Sequence, residues 1–403
     1  MPRKAYYNAG RNDRTYPGLR RFFAAQIETE VSFMEQLYHF SAPGRTEISG
    51  NHTDHQHGCV LAAAVDMQTT AEVRLNGTSR ILVDSEGFAP VTVDLSDLSV
   101  HEDEKNTTVA LIRGVAAAFQ ARGCQIEGFD AKVRSTVLPG SGLSSSAAFE
   151  VLIGRILNGL FFDNKLSAIE IAQIGQYAEN VYFGKPSGLM DQMASSVGGL
   201  VFIDFADPKK PVVEKVDYDF SHCGYTLCIV DSHASHADLT DEYAAIPQEL
   251  RTVSAYFGKQ TLHDVDEDAF YAALPAIRQQ CGDRAVLRAM HIFDENRRVR
   301  LQVRALRADN FSAFLNYVND SGRSSWVKLQ NVTPLGAAEH QDMAFTLALC
   351  KKLLAGEGAV RVHGGGFAGT ALAFVPNDRF ARFKEDVENV LGEGSCHPLQ
   401  IQG

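Results

Sequence analysis

A turn rich in glycine and serine, residues 140–146, stands directly before a segment whose pattern predicts a helix, residues 149–161. The turn reads Gly140-Ser141-Gly142-Leu143-Ser144-Ser145-Ser146. The first turn of a helix leaves backbone N–H groups unpaired at the positive end of the helix dipole. Glycine lets an anion approach the backbone closely, and serine hydroxyls donate to phosphate oxygens or bind a metal. We therefore predict a phosphate-binding loop, against the alternative of an ordinary serine-capped helix.

Residues 41–58 form a second polar segment, which precedes an apolar run at 60–65 and which we expect to be a loop. The side chains in this segment that could bind a ligand or take part in catalysis are Arg45, His52, Asp54, His55 and His57. Imidazole and carboxylate groups bind transition metals, but the spacing matches no zinc signature. A carboxylate and an imidazole beside a fixed arginine can also exchange hydrogen bonds with several sugar hydroxyls. From the residues alone, a metal cluster and a sugar-binding loop both stay open.

Two acidic residues lie around the end of another predicted helix. The helix is expected to begin with the capping-box sequence Ser167-Ala168-Ile169-Glu170 and to stop at Gly184. Glu179 lies near its end, and Asp191 lies on the glycine-bearing turn that follows. From the residues alone, Glu179 is an ordinary solvated glutamate, and Asp191 is either an N-cap or a functional carboxylate.

The glycine-rich segment 364–369 invites comparison with the dinucleotide-binding fingerprint. Gly364, Gly366 and Gly369 have the spacing Gly-x-Gly-x-x-Gly. The fingerprint requires a helix after the glycines, whereas residues 371–375 have the pattern of a strand. We therefore predict a turn between two strands, in which glycines let two backbones meet closely.

Composition bounds the class of protein. A chain of 403 residues with 45% hydrophobic residues is long for one core and predicts two domains. The net charge of −11 argues against nucleic-acid and anionic-membrane partners. Seven dispersed cysteines are typical of reduced thiols. The sequence contains no run of 18 apolar residues, the length needed to span a membrane. We expect a cytoplasmic protein of enzyme size.

Hydrophobic periodicity predicts the elements that must position these residues. Strands are predicted at 71–75, 80–83, 91–95, 125–136 and 226–230. Further helices are predicted at 17–40, 107–122, 267–320 and 336–356, with a linker at 207–211.

Taken together, three motifs and one further segment resemble those of the galactokinases, members of the GHMP small-molecule kinase family. The turn at 140–146 resembles their Pro-x-x-x-Gly-Leu-Ser-Ser-Ser-Ala phosphate loop. Residues 44–55 resemble their signature Gly-Arg-x-Asn-Leu-Ile-Gly-Glu-His-x-Asp-Tyr, with matches at Arg45, Gly50, His52 and Asp54. Residues 364–370 resemble their Gly-x-Gly-Phe-Gly-Gly-Cys turn, and residues 187–192 resemble their Cys-Gly-x-Met-Asp-Gln segment. The resemblance covers nearly the whole chain.

The resemblance implies an α+β fold with two domains and a cleft between them. Residues 1–205 would form a domain like ribosomal protein S5 domain 2, and residues 206–403 a ferredoxin-like domain. The implied reaction is transfer of the γ-phosphoryl group of ATP, with Mg²⁺, to the anomeric hydroxyl of a hexose, galactose in the first place. The small sugar would be the partner of a monomeric cytoplasmic enzyme.

The resemblance also implies roles for individual residues. Arg45 and Asp191 would be catalytic, and Ser146 and Glu179 would serve the magnesium ion. The phosphates would lie on the loop of Gly140, Ser141, Gly142, Leu143, Ser144, Ser145 and Ser146. The sugar would be held by Asn51, His52, Asp54, Gly188 and Tyr243.

Departures from the signature keep other functions open. Glu47 replaces an asparagine, Ser49 an aliphatic residue, Asn51 a glutamate and His55 a tyrosine. The glutamate replaced by Asn51 helps to hold the C6 hydroxyl in the family, and a neutral amide could bind a hydroxyl or tolerate a carboxylate. A galacturonate or arabinose kinase is therefore one alternative. A non-catalytic sugar sensor on the same fold is another.

Overall fold

The computed structural model describes residues 36–138, 140–185, 187–235 and 239–402. Its strands are β1 (Tyr38–Ser49), β2 (Cys59–Leu75), β3 (Arg80–Ser85), β4 (Val91–Asp94), β5 (Phe129–Ser135), β6 (Leu200–Asp204), β7 (Val212–Lys215), β8 (Tyr225–Asp231), β9 (Ala359–Val362), β10 (Thr370–Pro376) and β11 (Cys396–Leu399).

The α-helices of the described ranges are α1 (Thr108–Gln120), α2 (Ser145–Phe161), α3 (Ala168–Tyr177), α4 (Met190–Val197), α5 (Thr240–Tyr256), α6 (Glu267–Ala272), α7 (Leu274–Cys281), α8 (Asp283–Arg307), α9 (Phe311–Ser324), α10 (Asp342–Leu354) and α11 (Phe380–Leu391). Two π-helical segments, Ala178–Phe183 and Ser325–Leu329, continue α3 and α9. None of these helices combines the length and apolar character needed to cross a membrane.

The first sheet is built around the long strand β2. Its strands lie in the order β4-β3-β5-β2-β6-β7, and β1 also pairs with β2. Burial along β2 is continuous from Cys59 to Val65 and then alternates in its second half. The first half is therefore covered on both faces, whereas the second half covers the core with one face only.

The second sheet is antiparallel and has the order β11-β8-β10-β9. Alternate residues of β8 and β10 enter two different cores. Leu227 and Phe374 pack towards a core shared with β2, whereas Cys228 and Ala373 pack towards α10 and α11. Because both faces are covered, these strands read as continuous apolar runs in the sequence.

The two sheets share one hydrophobic core. Ile48 and Leu61 from the first sheet lie in the same buried cluster as Ile229 and Phe374 from the second. The chain end strengthens this connection, because the amide of Gln402 donates to the carbonyl of Ala64 at 2.9 Å. Ile48 lies near the end of β1, so the loop that follows, residues 50–58, begins beside the core that both sheets share.

Several predicted elements are confirmed. The capping box at Ser167 and Glu170 is present, and the glycine-rich segment 364–369 joins β9 to β10. The helix after the phosphate loop begins at Ser145, earlier than the apolar pattern alone predicted. The mixed α+β fold class is confirmed, while the boundary at 205 stays a prediction; β7 after it pairs with β6.

Two predictions about the start of the chain need correction. The predicted loop at 41–58 is strand β1 as far as Ser49, paired with β2, and only residues 50–58 lie outside a strand. Both faces of this strand are buried from Ala42 onwards, so its sequence shows no alternation that would reveal it. The helix predicted at 17–40 lies mostly outside the described residues, and Tyr38–Phe40 belong to β1 rather than to a helix.

Candidate active site

Arg45 and Asp191 form an ion pair at the centre of the site. Arg45 lies on β1, and Asp191 is the second residue of α4. The Nε of Arg45 donates to Oδ1 of Asp191 at 2.7 Å, and its Nη2 lies 2.6 Å from Oδ2. The arginine is nearly buried, whereas the aspartate side chain keeps 31% exposure. A two-pronged pair of this kind fixes the orientation of both groups.

The phosphate-loop candidate lies against this pair. The amide of Arg45 donates to the carbonyl of Leu143 at 3.0 Å, and its guanidinium also donates to the carbonyl of Gly142. Ser144 has a positive φ of 56°, and its hydroxyl donates to Oδ2 of Asp191 at 2.7 Å instead of capping α2. The carboxylate of Asp191 on α4 thus connects Arg45 of β1 with the hydroxyl of Ser144 in the loop.

The environment of Asp191 favours its ionised form. Burial alone would raise the pKa of this carboxyl, but the charge of Arg45 and the hydrogen bonds from Arg45 and Ser144 lower it below its ordinary value. A carboxylate in this state is a weak base. It is better suited to orienting a hydroxyl group than to removing its proton early.

Glu179 lies in a buried polar cluster beside Asp191's helix. One of its oxygens lies 2.9 Å from Nζ of Lys185. The other accepts from Oγ of Ser187 at 2.6 Å and from Nε2 of Gln192 at 2.9 Å. Gln192 also donates to Glu150, and within the described part of the chain Oε1 of Gln192 and Oε1 of Glu150 are buried without a hydrogen-bond partner.

These groups fit a hard divalent cation. Carboxylate and hydroxyl oxygens are the ligands that Mg²⁺ prefers, and it commonly takes only one or two carboxylates from the protein beside phosphate oxygens. The buried Oε1 atoms of Glu150 and Gln192 lack hydrogen-bond partners within the described ranges, and a cation could satisfy them. Burial, and then the charge of Glu179, raise the pKa of Glu150 well above its ordinary value, and a cation bound there would offset this shift. Among the described residues, no three His, Cys, Asp or Glu side chains form a ready-made metal site, so the nucleotide would have to complete it.

A mainly apolar cavity adjoins the phosphate loop. It has a volume of about 290 Å³ and lies beside Ser145 and Ser146. Its apolar walls come from Phe88, Val91, Leu111, Phe149 and Phe183. No motif in the sequence predicted it, because its walls come from separate strands, helices and turns.

Asp54 and Gly188 meet on the other side of the ion pair. A Cβ atom added at Gly188 would lie 1.9 Å from Oδ2 of Asp54, so only glycine allows this approach. Oδ1 of Asp54 accepts from the amide of His55 at 2.8 Å. Burial, and then the nearby charges of Asp191 and Glu47, raise the pKa of Asp54 to about 6.

The other predicted sugar residues lie against the glycine turn, residues 364–366. Asn51 is fully buried, and its amide group donates to the carbonyl of Gly364 at 2.5 Å. Nε2 of His52 lies 3.0 Å from the carbonyl oxygen of Gly365. The hydroxyl of Tyr243 donates to the carbonyl oxygen of Gly366 at 2.9 Å. Of the loop histidines, His52 and His55 contact each other rather than a shared centre with Asp54.

Below the loop lies a buried polar network that the motifs did not reveal. Glu47 forms a 2.5 Å ion pair with Arg361 of β9 and accepts from Asn51 at 3.1 Å. Glu295 of α8 accepts from the hydroxyl of Ser49 at 2.9 Å and from the amide of Gly50 at 3.0 Å. The departures at Glu47 and Asn51 therefore contact each other, and the departure at Ser49 contacts Glu295.

His363 and Thr370 connect the phosphate loop to β1. The amide of Glu47 donates to Nε2 of His363 at 3.1 Å, so Nδ1 must carry the proton of the neutral ring. Nδ1 then donates to Oγ1 of Thr370 at 2.9 Å, and Thr370 donates to the carbonyl of Ser141 at 2.7 Å. Burial lowers the pKa of His363 well below its ordinary value, which keeps this ring neutral.

Comparison with known proteins shows which family the chain resembles. The model of the GHMP kinases N terminal domain matches residues 110–199, and the galactokinase galactose-binding signature matches residues 30–75. The chain is 32% identical to galactokinase of Streptomyces coelicolor, over 83% of this chain and 84% of that protein. It is 30% identical to galactokinase of Glaesserella parasuis, with coverage of 88% and 89%.

The fold comparison agrees with the sequence comparison. The crystal structure of Lactococcus lactis galactokinase complexed with galactose superimposes with a TM-score of 0.77. It is 26% identical in sequence, and the match covers 95% of this chain and 98% of that one. The phosphate loop, the Arg45–Asp191 pair and the glycine turn thus stand on a GHMP kinase fold, and the chain belongs to the galactokinase family.

Proposed function

We propose that this protein transfers the γ-phosphoryl group of ATP to the anomeric hydroxyl of galactose, giving galactose 1-phosphate. The observation that carries the proposal is the joint engagement of Asp191 by Arg45 and Ser144. This arrangement places a fixed carboxylate and a fixed guanidinium at the edge of the phosphate loop. The family membership of the chain supports the same chemistry.

Phosphoryl transfer depends mainly on positioning and on neutralising charge, so each group would contribute by orienting a reactant or by offsetting charge. Asp191 would orient the sugar hydroxyl and take its proton as the phosphorus–oxygen bond forms. Arg45 would stabilise the charge on the transferring group. Asp54 and the backbone at Gly188 would hold sugar hydroxyls on the opposite side.

The nucleotide would occupy the phosphate loop and the adjoining cavity. The amides and hydroxyls of residues 140–146 would hold its phosphates at the start of α2. The apolar cavity lined by Phe88 and Phe149 would receive its base. Ser146 and Glu179 would hold Mg²⁺, which supplies neutralising charge to the phosphates when it is bound.

The proposal is tested by an ADP-release assay with Mg-ATP and a panel of sugars. The panel contains galactose, galacturonate, arabinose, glucose and N-acetylgalactosamine. Highest kcat/KM with galactose is the expected result. Preference for galacturonate or arabinose would assign the chain to a different sugar 1-kinase, an outcome that the buried state of Asn51 makes worth testing.

The activity should depend on the ionisation of Asp54. Because the pKa of this carboxyl is raised to about 6, we expect kcat/KM for the sugar to fall as pH drops through 6. The raised pKa also means that the ionised carboxylate costs folding stability, a cost that appears as pH rises from the ordinary value of 3.8 through about 6.

Asp54→Asn should therefore weaken sugar turnover yet raise the thermal unfolding midpoint at pH 7.5, with little change at pH 4. Calorimetric scans and kinetics at both pH values check this. A lower midpoint at pH 7.5 would contradict the burial argument.

Thr370 should matter for nucleotide binding through the position of Ser141. Thr370→Val keeps the shape but leaves Nδ1–H of His363 and the carbonyl of Ser141 without a partner. We expect KM for ATP to rise about 10-fold, with a smaller effect on the sugar KM. Thr370→Ser should restore most of the affinity.

Thr346→Val is the matched control, because the buried hydroxyl of Thr346 has no hydrogen-bond partner among the residues that the structure describes. Equal effects of the two valine substitutions on KM for ATP would show that Thr370 acts through general stability alone.

A further inference from the structure

Lys185 is bound to Glu179 through both its backbone and its side chain. It follows the π-helical segment Ala178–Phe183 by two residues, and its amide donates to the carbonyl of Glu179 at 3.1 Å. Its Nζ donates to Oε1 of the same residue at 2.9 Å. The turn after the π-helical segment therefore places a positive charge directly on the predicted metal ligand.

The carboxylate of Glu179 depends on this lysine for charge compensation. Its side chain is 4% exposed, and its second oxygen, Oε2, accepts from the neutral groups of Ser187 and Gln192. Among the residues that the structure describes, the lysine is the one side chain that forms an ion pair with it. The guanidinium of Arg45 is committed to Asp191. A buried carboxylate that loses its cationic partner is costly, which makes it a strong site for a replacement cation.

The two members of this ion pair differ in their access to water. The side chain of Lys185 keeps 58% exposure, against 4% for that of Glu179. Lysine carries a compact, strongly hydrated charge at the end of a flexible four-carbon stem. The ammonium can therefore move into solvent at little cost, whereas the carboxylate stays in the cluster and becomes free to bind another cation.

The oxygens beside Glu179 suit a divalent cation better than an ammonium group. Oε1 of Glu150 and Oε1 of Gln192 are buried and have no hydrogen-bond partner within the described ranges. The ammonium of Lys185 reaches Glu179 but donates to neither of these two oxygens. Because Mg²⁺ prefers an octahedron of oxygen ligands, an ion here can use acceptors that the lysine leaves unsatisfied.

We propose that Lys185 is a resident competitor of the divalent cation at Glu179. In the metal-free protein its ammonium neutralises the carboxylate, and it withdraws into solvent when Mg²⁺ binds with the nucleotide. The inference rests on the proposed kinase function and refines its metal-binding half. The lysine thereby lowers the affinity of the protein for free metal, and it keeps Glu179 compensated whenever no metal is bound.

Manganese binding measures this competition without any turnover. Mn²⁺ shares the preference of Mg²⁺ for oxygen ligands, and the loss of its free-ion electron paramagnetic resonance signal reports binding to the nucleotide-free protein. Two variants are compared with the wild type. Lys185→Met keeps a long stem but loses the charge, and Lys185→Arg keeps the charge and can bind both carboxylate oxygens.

Lys105→Met is the matched control, because Lys105 lies beside the same turn but pairs with a different carboxylate. Its stem passes 3.3 Å from the position that a Cβ atom would take at Gly184. Its ammonium lies 2.6 Å from an oxygen of Glu102, whose side chain is 80% exposed. The control therefore changes the net charge by the same amount at nearly the same place, without removing the partner of Glu179.

We expect Lys185→Met to lower the Kd for Mn²⁺ by about 10-fold, because the ion no longer has to displace a charged hydrogen-bond donor. Lys185→Arg should not lower the Kd, and Lys105→Met should leave it within about twofold of the wild type. Unchanged or weaker binding in Lys185→Met would overturn the proposal, and so would equal tightening in both methionine variants. Absence of binding to all four proteins would count against it as well.

Thermal unfolding shows whether the lysine compensates Glu179 when metal is absent. In EDTA, Lys185→Met should unfold at a lower temperature than the wild type, and excess Mg²⁺ should raise its midpoint more than that of the wild type. Lys185→Arg should keep the wild-type midpoint in EDTA. A lowered midpoint that Mg²⁺ does not restore would assign the lysine a structural role alone and overturn the competition.

These metal measurements do not depend on sugar turnover. A wild type that binds Mn²⁺ as expected but does not phosphorylate galactose would count against the proposed function and leave the role of Lys185 standing. The failure of one proposal is therefore distinguishable from the failure of the other.

Discussion

Arg45→Ala should lower kcat by about 10³-fold or more, the largest effect we expect from a single change in this protein. The substitution removes the guanidinium that would face the transferring phosphoryl group. It also leaves Asp191 without the partner that lowers its pKa, so the carboxyl becomes easier to protonate. Steady-state kinetics with Mg-ATP and galactose measure the loss, and unfolding curves check that the variant is folded.

Asp191→Asn is expected to lower kcat less, by about 10²-fold, because a loose transition state needs little early proton transfer. The amide can still accept from Arg45 through one oxygen. Arg382→Ala, at a side chain that is 88% exposed on α11, is the matched control and should leave kcat unchanged. Equal and mild losses for Arg45→Ala and Asp191→Asn would contradict the roles proposed for them.

Asn51→Glu alone should destabilise the folded protein by about 3–5 kcal/mol. The change would place a second buried carboxylate against Glu47 and would remove the amide that donates to the carbonyl of Gly364. Glu47→Asn alone should cost a similar amount, because Arg361 is fully buried and would lose its ion-pair partner. Urea unfolding of both variants measures these free energies.

The double variant Glu47→Asn/Asn51→Glu should recover a large part of the loss. The two side chains share one contact, and Arg361 reaches the same Oε1 of Glu47, so exchanging them keeps one carboxylate beside the guanidinium. We expect a coupling energy of about 2 kcal/mol or more. Glu214→Gln, in an exposed pair with Arg307, is the control and should cost less than about 1 kcal/mol. Simple addition of the single effects would contradict the shared network.

The sequence was sufficient for the groups that lie inside short motifs. Glycine and serine spacing predicted the loop at 140–146, and the resemblance singled out Arg45 and Asp191, which the fold brings into contact across 146 positions. The capping box at Ser167 is equally local. Such local patterns can be recognised in the sequence because the interacting atoms belong to a few neighbouring residues.

The parts that could not be predicted depend on contacts between distant segments. Arg361, Glu295 and His363 approach the end of β1 from positions about 240 to 320 residues away, and no spacing rule encodes that approach. Continuous burial hid β1 itself, since a strand covered on both faces does not alternate. The assignment of Asn51 to the sugar stays a prediction from the resemblance, and the hydrogen bonds of its amide to Glu47, Gly364 and Asn331 could not be predicted from the motif.

The proposed reaction is tested most directly by identifying the product formed from Mg-ATP and galactose with proton and phosphorus NMR. We expect one ADP for each galactose consumed, with the new phosphate attached to the anomeric carbon. A phosphate on any other carbon would contradict the proposed placement of Asp191. Galactose binding seen by calorimetry without any turnover would contradict the kinase proposal and identify the protein as a sugar sensor.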